Sequence, residues 1–263
     1  MNRIEQTLAA LQERQEKAFI TYMTAGLPDY EKTKSIIRAQ EKAGTDIIEL
    51  GIPFSDPVAD GPVIQSASCD AIRAGANLSK TFACMEELRR EGVNIPIIFM
   101  MYYNTVLHCG IEQFASRCAE CGVDGVIIPD LPFEEQEELQ GALAKADATI
   151  LIQLASPVSK ERVPMILEHA RGFVYCVSSM GVTGQAGSFH KEIRDYLSYV
   201  KSVSKIPVMM GFGIQTAADV EAVKDVIDGA VVGSHLITLM RESNFSEQAI
   251  QEYCSTFKRE LNQ

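Results

Sequence analysis

The sequence lacks several features that would place the protein in a membrane or on a nucleic acid. No apolar run reaches the ~18 residues that a membrane-spanning helix needs. The first residues, MNRIEQ, are polar and lack the basic-then-apolar pattern of a secretion signal, so a cytoplasmic protein is expected. Positive charge is scarce, with 24 Lys and Arg against 35 Asp and Glu and a net charge of −11. This balance argues against nucleic acid or an acidic membrane as partner.

Metal-ligating patterns are also missing. The histidines are few and scattered, at His108, His169, His190 and His235. Seven cysteines, an odd number, indicate free thiols in a chain of this size. Cys118 and Cys121 form a lone CxxC motif near the end of a helical pattern, where packing explains them better than zinc or redox chemistry. We therefore expect no metal site.

What the sequence does contain is one repeated unit: a short apolar run, a turn and an amphipathic segment. The runs are rich in Ile and Val and apolar at successive positions, which is typical of strands buried on both faces of a parallel sheet. They lie at residues 19–24, 46–51, 95–101, 125–130, 149–154, 173–178, 206–211 and 229–233. Helix-length segments follow them, at 30–43, 78–91, 111–121, 133–145, 159–170, 191–204, 216–227 and 246–261.

Eight βα units in a chain of 263 residues predict an α/β fold, a (β/α)8 TIM barrel formed as a single domain over residues 1–263. The structural alternative is a doubly wound open sheet. That fold usually has fewer strands and a glycine fingerprint after the first one, which the segment AGLP at 25–28 does not match. We expect an extra N-terminal helix at 2–17 to pack across the barrel, and a short extra helix after strand eight at 236–240.

The segment ELGIPFSDPVADGP, residues 49–62, begins as a buried strand and ends as a proline-stiffened loop. Glu49 lies inside the apolar run, where an unused carboxylate would be costly. In an apolar pocket its pKa should rise, so that it could exchange protons near neutral pH. Asp60 follows on the loop, and two acids in different environments can divide acid and base roles. A turn role remains open for Asp60, and for Asp56 a turn, cap or interface role is the preferred interpretation.

Three glycine-rich segments stand at the ends of the last three predicted strands: GVTG at 181–184, GFGI at 211–214 and GSH at 233–235. Glycine lets backbone N–H groups approach an oxyanion closely, and barrels often bind phosphate at these loops. None of the three contains Lys or Arg, so binding would depend on backbone N–H groups and the Ser234 hydroxyl. Ordinary turns are the alternative explanation for a single loop, but less so for three.

Aromatic residues near strand ends could line a pocket for a flat ligand, although each is more often a core residue. They are Tyr22, Tyr102, Tyr175 and Phe212. Asp130, at the end of the fourth run, is a further candidate that a loop hydrogen bond would also explain.

These motifs together resemble the tryptophan synthase alpha subunit family. The 49–62 segment is similar to that family's signature, and the three glycine loops follow in the family's order. The resemblance covers nearly the whole chain. One departure lies before Gly181, where some members carry Arg at the position of Ser179. Tyr22 is a second departure, since it stands where the family pattern has a less polar aromatic residue.

The resemblance implies a lyase that cleaves indole-3-glycerol phosphate to indole and glyceraldehyde 3-phosphate by a retro-aldol reaction, in tryptophan biosynthesis. Glu49 would be the general acid and base, and Asp60 would hold the indole N–H. Thr183 would belong to a loop that closes over the site and orients Asp60. The phosphate would be bound by Gly184, Phe212, Gly213, Gly233 and Ser234, with Tyr175 near the ligand.

The resemblance also implies a beta subunit as partner in an α2β2 complex. Pyridoxal phosphate would belong to that partner, and this chain would need no cofactor. The loop around Asp56 and the segment around Asn104 would form the interface. Other phosphosugar barrels should show a catalytic Lys or a Cys–Asp pair at strand ends, where this chain has Glu49 and Asp130. A regulatory barrel that only docks on a partner enzyme remains the alternative from another class.

Overall fold

The computed structural model describes residues 2–146, 148–177, 186–211 and 213–263, without the side chains of 146, 159 and 186–191. Parallel strands in these ranges form one sheet, ordered β5-β4-β3-β2-β1-β9-β8-β7-β6. The strands are β1 (Ala18–Thr24), β2 (Ile47–Gly51), β3 (Ile97–Met100), β4 (Gly125–Ile127), β5 (Ile150–Leu151), β6 (Gln153–Ala155), β7 (Val174–Val177), β8 (Val208–Gly211) and β9 (Gly229–Val232).

The two edge strands of this sheet are the two halves of the predicted fifth strand. β5 pairs with β4, and β6 pairs with β7. Between them, the Ile152 N–H still donates to the Val126 carbonyl at 2.9 Å. The segment therefore changes its pairing partner at Ile152 and closes the sheet into the predicted barrel.

Helices surround the barrel, and most of them agree with the predicted segments. They are α1 (Arg3–Glu13), α2 (Tyr30–Lys42), α3 (Pro62–Arg73), α4 (Leu78–Arg90), α5 (Tyr103–Cys109), α6 (Ile111–Cys121), α7 (Glu137–Ala146), α8 (Val163–Leu167), α9 (Ala186–Val203), α10 (Ser234–Glu242) and α11 (Glu247–Leu261). Short 3-10 helices occupy Phe133–Glu135, Pro157–Arg162 and Ala217–Val226.

Two helices were missed by the sequence patterns, and two predicted helices, at 133–145 and 159–170, are each divided into a 3-10 turn and an α-helix. α3 begins at Pro62, where proline is favoured because the first helical N–H needs no partner within the helix. α5 begins right after β3 and was hidden by its short length. The predicted helix at 159–170 is a 3-10 turn followed by α8, because Pro164 can occupy only a first helical turn.

The interior of the barrel is apolar at its N-terminal end, and α1 covers it. Ile4, Leu8 and Leu11 of α1 pack against inward-facing strand residues such as Ile47 and Phe173. The helix is fixed by a capping box between Asn2 and Glu5. The predicted packing of the N-terminal helix across the barrel is confirmed. A second, larger core lies between the strands and the outer helices.

Aspartates directly before three strands fasten the same end of the barrel. Each one accepts a hydrogen bond from a backbone N–H of the adjacent strand and forms an ion pair. Asp46 accepts from the Phe19 N–H and pairs with Lys258. Asp124 accepts from the Ile97 N–H and pairs with Arg89 and Arg3. Asp228 accepts from the Val208 N–H and pairs with Lys201. Buried charge at this end is therefore paired charge.

Candidate active site

A cavity of about 850 Å³ opens at the C-terminal ends of the strands. Its wall combines the loop after β2, the ends of β3, β4, β7 and β8, and the turn into α10. Among its lining residues are Asp60, Gly61, Ile64, Met100, Ile127, Tyr175, Gly211, Gly213, Val231, Gly233, Ser234 and His235. Five of the residues singled out from the sequence, Asp60, Tyr175, Gly213, Gly233 and Ser234, thus meet at one surface. Glu49, Tyr22 and Tyr102 are not part of that wall.

Glu49 projects into the barrel from β2, on the same strand face as Ile47 and Gly51. It is only 1% exposed, and its Oε1 atom has no hydrogen-bond partner among the described residues. Burial raises the pKa of this carboxyl from 4.5 to about 8, because the charged form loses its hydration. Glu49 is therefore largely protonated at neutral pH and can act as an acid.

Asp60 has a different environment on the loop between β2 and α3. The Tyr102 hydroxyl donates to Asp60 Oδ2 at 3.0 Å and accepts from the Ala59 N–H at 3.0 Å. The Tyr102 ring stacks on Phe54 with a centroid distance of 5.0 Å. Burial raises the pKa of Asp60, while the Tyr102 hydrogen bond opposes that rise. Asp60 thus lines the cavity, and its carboxylate accepts a hydrogen bond from one tyrosine.

Two tyrosines inside the barrel use the same local arrangement in its two halves. Tyr22 in β1 lies opposite Glu49 in the ladder, and a side chain at Gly51 would collide with its hydroxyl. Tyr175 in β7 stands in the same relation to Gly211 in β8. Glycine is needed at both strand ends because the hydroxyls occupy the space of a Cβ atom. Burial raises the pKa of both phenols, so they are neutral hydrogen-bond donors.

The predicted phosphate loops differ in how far the structure describes them. Gly213 has φ of +64°, a left-handed conformation that favours glycine, and open space where a side chain would be. Gly233 precedes α10, whose first turn has no side-chain cap and begins at Ser234. Backbone N–H groups at such a helix start suit an anion. Thr183, Gly184 and Phe212 lie outside the described residues, as does Ser179.

Hydrophobic lining residues were not singled out from the sequence, although their positions could have indicated them. Met100 and Ile127 end β3 and β4 and share the inward face with Ile98 and Glu49, as alternation along a strand requires. The extra helix predicted at 236–240 is longer, from Ser234 to Glu242, which places its N-terminus at the cavity.

Asp130 has a structural role at the start of α5. Its Oδ1 accepts a hydrogen bond from the Tyr103 N–H at 2.9 Å. The loop after β4 is thereby fixed to the segment after β3, beside the Tyr102 that holds Asp60. The loop hydrogen bond considered for Asp130 is what the structure shows.

Within the described parts of the chain, no group of three or more His, Cys, Asp or Glu side chains is arranged to hold a metal ion. Cys118 and Cys121 are buried free thiols whose pKa is raised by burial. None of the described helices has the length and apolar character needed to cross a bilayer.

The fold and the site together define a (β/α)8 barrel with a carboxylate-bearing cavity at the carboxyl ends of its strands, the usual place of catalysis in this architecture. The tryptophan synthase alpha chain family model matches residues 8–263. The chain belongs to that family. Membership confirms the predicted lyase activity on indole-3-glycerol phosphate in tryptophan biosynthesis.

Individual relatives agree with this assignment over their full length. The chain is 64% identical to the tryptophan synthase alpha chain of Lachnospira eligens, over 100% of both chains. It is 45% identical to that of Alkaliphilus metalliredigens, covering 99% of this chain and 97% of the relative. Among solved structures, the alpha subunit of Legionella pneumophila tryptophan synthase superposes with a TM-score of 0.90 at 34% identity, covering 99% and 98% of the two chains.

Proposed function

We propose that Glu49 and Asp60 carry out the cleavage of indole-3-glycerol phosphate as an acid/base pair. The observation that carries this assignment is the buried Glu49 carboxyl, whose Oε1 atom has no hydrogen-bond partner among the described residues and whose pKa is raised to about 8. A group of this kind can donate and accept a proton within one turnover at neutral pH.

The different environments of the Glu49 and Asp60 carboxyl groups suit different roles in the proposed reaction. Glu49 donates its proton to C3 of the indole ring, which becomes a cation, and the Asp60 carboxylate stabilises the positive ring N–H. The Glu49 carboxylate then removes the proton of the hydroxyl on the adjacent chain carbon. The carbon–carbon bond breaks, and its electron pair returns to the ring. Indole and glyceraldehyde 3-phosphate are formed, and Glu49 is protonated again.

The phosphate is proposed to bind between Gly213 and the start of α10 at Gly233 and Ser234. Three features support this: the open space at Gly213, the uncapped first turn of α10 and the position of all three residues on the cavity wall. Thr183, Gly184 and Phe212 are proposed to complete the phosphate site and the closing loop, as the family resemblance implies. Tyr22, Tyr102 and Tyr175 are proposed to surround the indole.

A beta subunit is the proposed partner, in an α2β2 assembly, and it would supply the pyridoxal phosphate. Support comes from two apolar side chains exposed near the predicted interface. Val58, two residues beyond Asp56, is 83% exposed, and Leu107 of α5, near Asn104, is 53% exposed. Exposed apolar groups close to a site often mark a protein interface. We also propose that residues 1–263 form a single domain in the cytoplasm.

Indole release from indole-3-glycerol phosphate tests the proposal, measured with the chain alone and with a beta subunit. We expect slow release by the chain alone, a strong increase with the partner, and a loss of most of the activity in Glu49→Gln. If parent and Glu49→Gln release indole equally, the acid/base assignment is wrong. If the folded parent binds the substrate but never cleaves it, the regulatory barrel becomes the better explanation.

A further inference from the structure

Two buried side-chain atoms without a hydrogen-bond partner lie toward the C-terminal ends of β1 and β2. The buried side-chain atoms without a partner in the described structure are Thr24 Oγ1, Thr45 Oγ1, Glu49 Oε1 and Tyr196 Oη. Thr45 and Tyr196 each interact with a cysteine thiol, Cys254 and Cys176 respectively. Thr24 has the Tyr22 hydroxyl as its polar neighbour, and burial is the sole influence on Glu49; both belong to the inward face near the cavity.

The sheet register places these groups around one point. Tyr22 pairs with Glu49, and Thr24 pairs with Gly51. Tyr22 and Thr24 share the inward face of β1, about 7 Å apart along the strand at the usual rise per residue. The Tyr22 hydroxyl occupies the space over Gly51, next to Thr24. Thr24 Oγ1 has no full hydrogen bond within the described structure, and Tyr22 is a neutral phenol, so each hydroxyl carries a proton that a carboxylate can accept.

Among the described residues, the layer below Glu49 presents apolar side chains, which cannot stabilise its charge. The inward residues of that layer are apolar and include Ile4, Ile47, Ile98 and Phe173. A carboxylate that has released its proton therefore finds donors only toward the cavity. The titratable groups that face it there are Tyr22 from β1, Tyr175 from β7 and Asp60 from the loop after β2. Tyr175 lines the cavity, where its hydroxyl can be used by a ligand.

We propose that Tyr22 and Thr24 are positioning residues for Glu49, and that their two hydroxyls form the seat that receives its carboxylate after the proton has gone to the substrate. The catalytic part of this inference depends on the function proposed above. The seat itself does not, because an ionised Glu49 needs donors whether or not a substrate is bound. Neutral hydroxyls that donate to a carboxylate stabilise its charged form.

The first experiment is a titration of Glu49 by carbon NMR of the side-chain carboxyls in protein labelled at glutamate, with the signal assigned by its loss in Glu49→Gln. We expect Thr24→Val and Tyr22→Phe each to raise the Glu49 pKa by about 0.5 to 1 unit relative to the parent protein. Thr24→Ser keeps the hydroxyl and should restore the parent value. Thr45→Val, which removes a buried hydroxyl that contacts Cys254 away from the cavity, is the matched control and should leave the titration unchanged.

The second experiment measures indole release by the same variants. We expect kcat to fall about tenfold in Thr24→Val and Tyr22→Phe, with KM within about twofold, because the seat acts on Glu49 and Tyr22→Phe keeps the ring proposed to face the indole. Thr24→Ser should recover the activity. If the variants show the titration shifts but the parent protein does not cleave the substrate, the proposed function is wrong and the seat is still supported.

Three results would overturn the seat. One is an unchanged Glu49 titration in both variants. Another is an equal shift in Thr45→Val, which would indicate general loosening of the core. The last is a rise of the Glu49 pKa in Tyr175→Phe, titrated in the same way, without a rise in the other two variants. That result would identify Tyr175 as the donor instead.

Discussion

The two ends of this barrel treat buried carboxylates in opposite ways. At the N-terminal end, Asp124 receives Arg89 at 2.7 Å and Arg3 at 2.9 Å, together with a backbone N–H. At the C-terminal end, Glu49 has no cation and no hydrogen bond to Oε1 within the described chain, and Asp60 is held by a neutral tyrosine. Both ends bury acids, but only the N-terminal end supplies their counter-charges.

The difference separates stability from chemistry. A paired buried carboxylate is fixed in one protonation state and one position, which suits a structural fastening. An unpaired one destabilises the fold but keeps a pKa near the working pH, which suits proton transfer. Among the described residues of this barrel, the buried acid without a counter-charge thus lies at the end where the cavity opens.

The largest expected effect comes from removing the proton carrier at the C-terminal end. Glu49→Gln keeps the shape of the side chain but cannot transfer a proton, so kcat for indole release should fall by about 10³-fold, within the range for general acid/base catalysis. Affinity for a non-reacting phosphorylated indole analogue, measured by calorimetry, should stay within about threefold. A variant with substantial activity would remove Glu49 from the mechanism.

The pH dependence of stability should report the same unpaired acid. The pKa of Glu49 is raised in the folded state to about 8, so its stabilising contribution is complete below pH 4.5 and is lost as pH rises through 8. The advantage of Glu49→Gln over the parent in the free energy of unfolding should grow across this window by something on the order of 4 kcal/mol. Urea unfolding at several pH values measures it.

A constant difference between the two proteins from pH 5 to 9 would contradict the raised pKa. Glu112→Gln is a suitable control, because it removes an exposed carboxylate that pairs with Lys145 at the protein surface.

Removing an ion pair at the N-terminal end of the barrel should lower the stability of the fold and leave catalysis unchanged. Asp124→Ala leaves the Arg89 guanidinium buried without its carboxylate, which should lower the free energy of unfolding by about 3 kcal/mol. Indole release per folded molecule should be unchanged. Should kcat fall with Asp124→Ala while stability is retained, the separation between the two ends would be wrong.

A smaller effect is expected at the second acid. Asp60→Asn retains the hydrogen bond from Tyr102 but loses the negative charge opposite the ring cation, so kcat should fall about 10²-fold, comparable to losing one electrostatic stabiliser. Asp56→Asn, on the same loop, is the matched control and should keep kcat within about twofold. Equal losses in both variants would indicate a general effect on the loop.

The pattern of apolar runs and amphipathic segments in the sequence was sufficient to predict the barrel fold. Strands buried on both faces read as continuous apolar runs, and seven of the eight predicted runs contain one observed strand each. The eighth, at 149–154, divides at Ile152 because its two halves pair with different neighbours. No local pattern encodes that change of partner. α3 and α5 were missed because they follow β2 and β3 within loops whose prolines and short lengths predict irregular chain.

By itself, the sequence determined the order of βα units, the apolar environment of Glu49 and the glycines at strand ends, since all three follow from local composition and period. Tertiary structure alone decided that Glu49 has apolar neighbours below and hydroxyls above, that Tyr102 holds Asp60, and that Asp130 caps α5. These relations join residues from different strands and loops. Their distances are set by the closure of the barrel, which brings distant parts of the chain together and which no single segment of the sequence specifies.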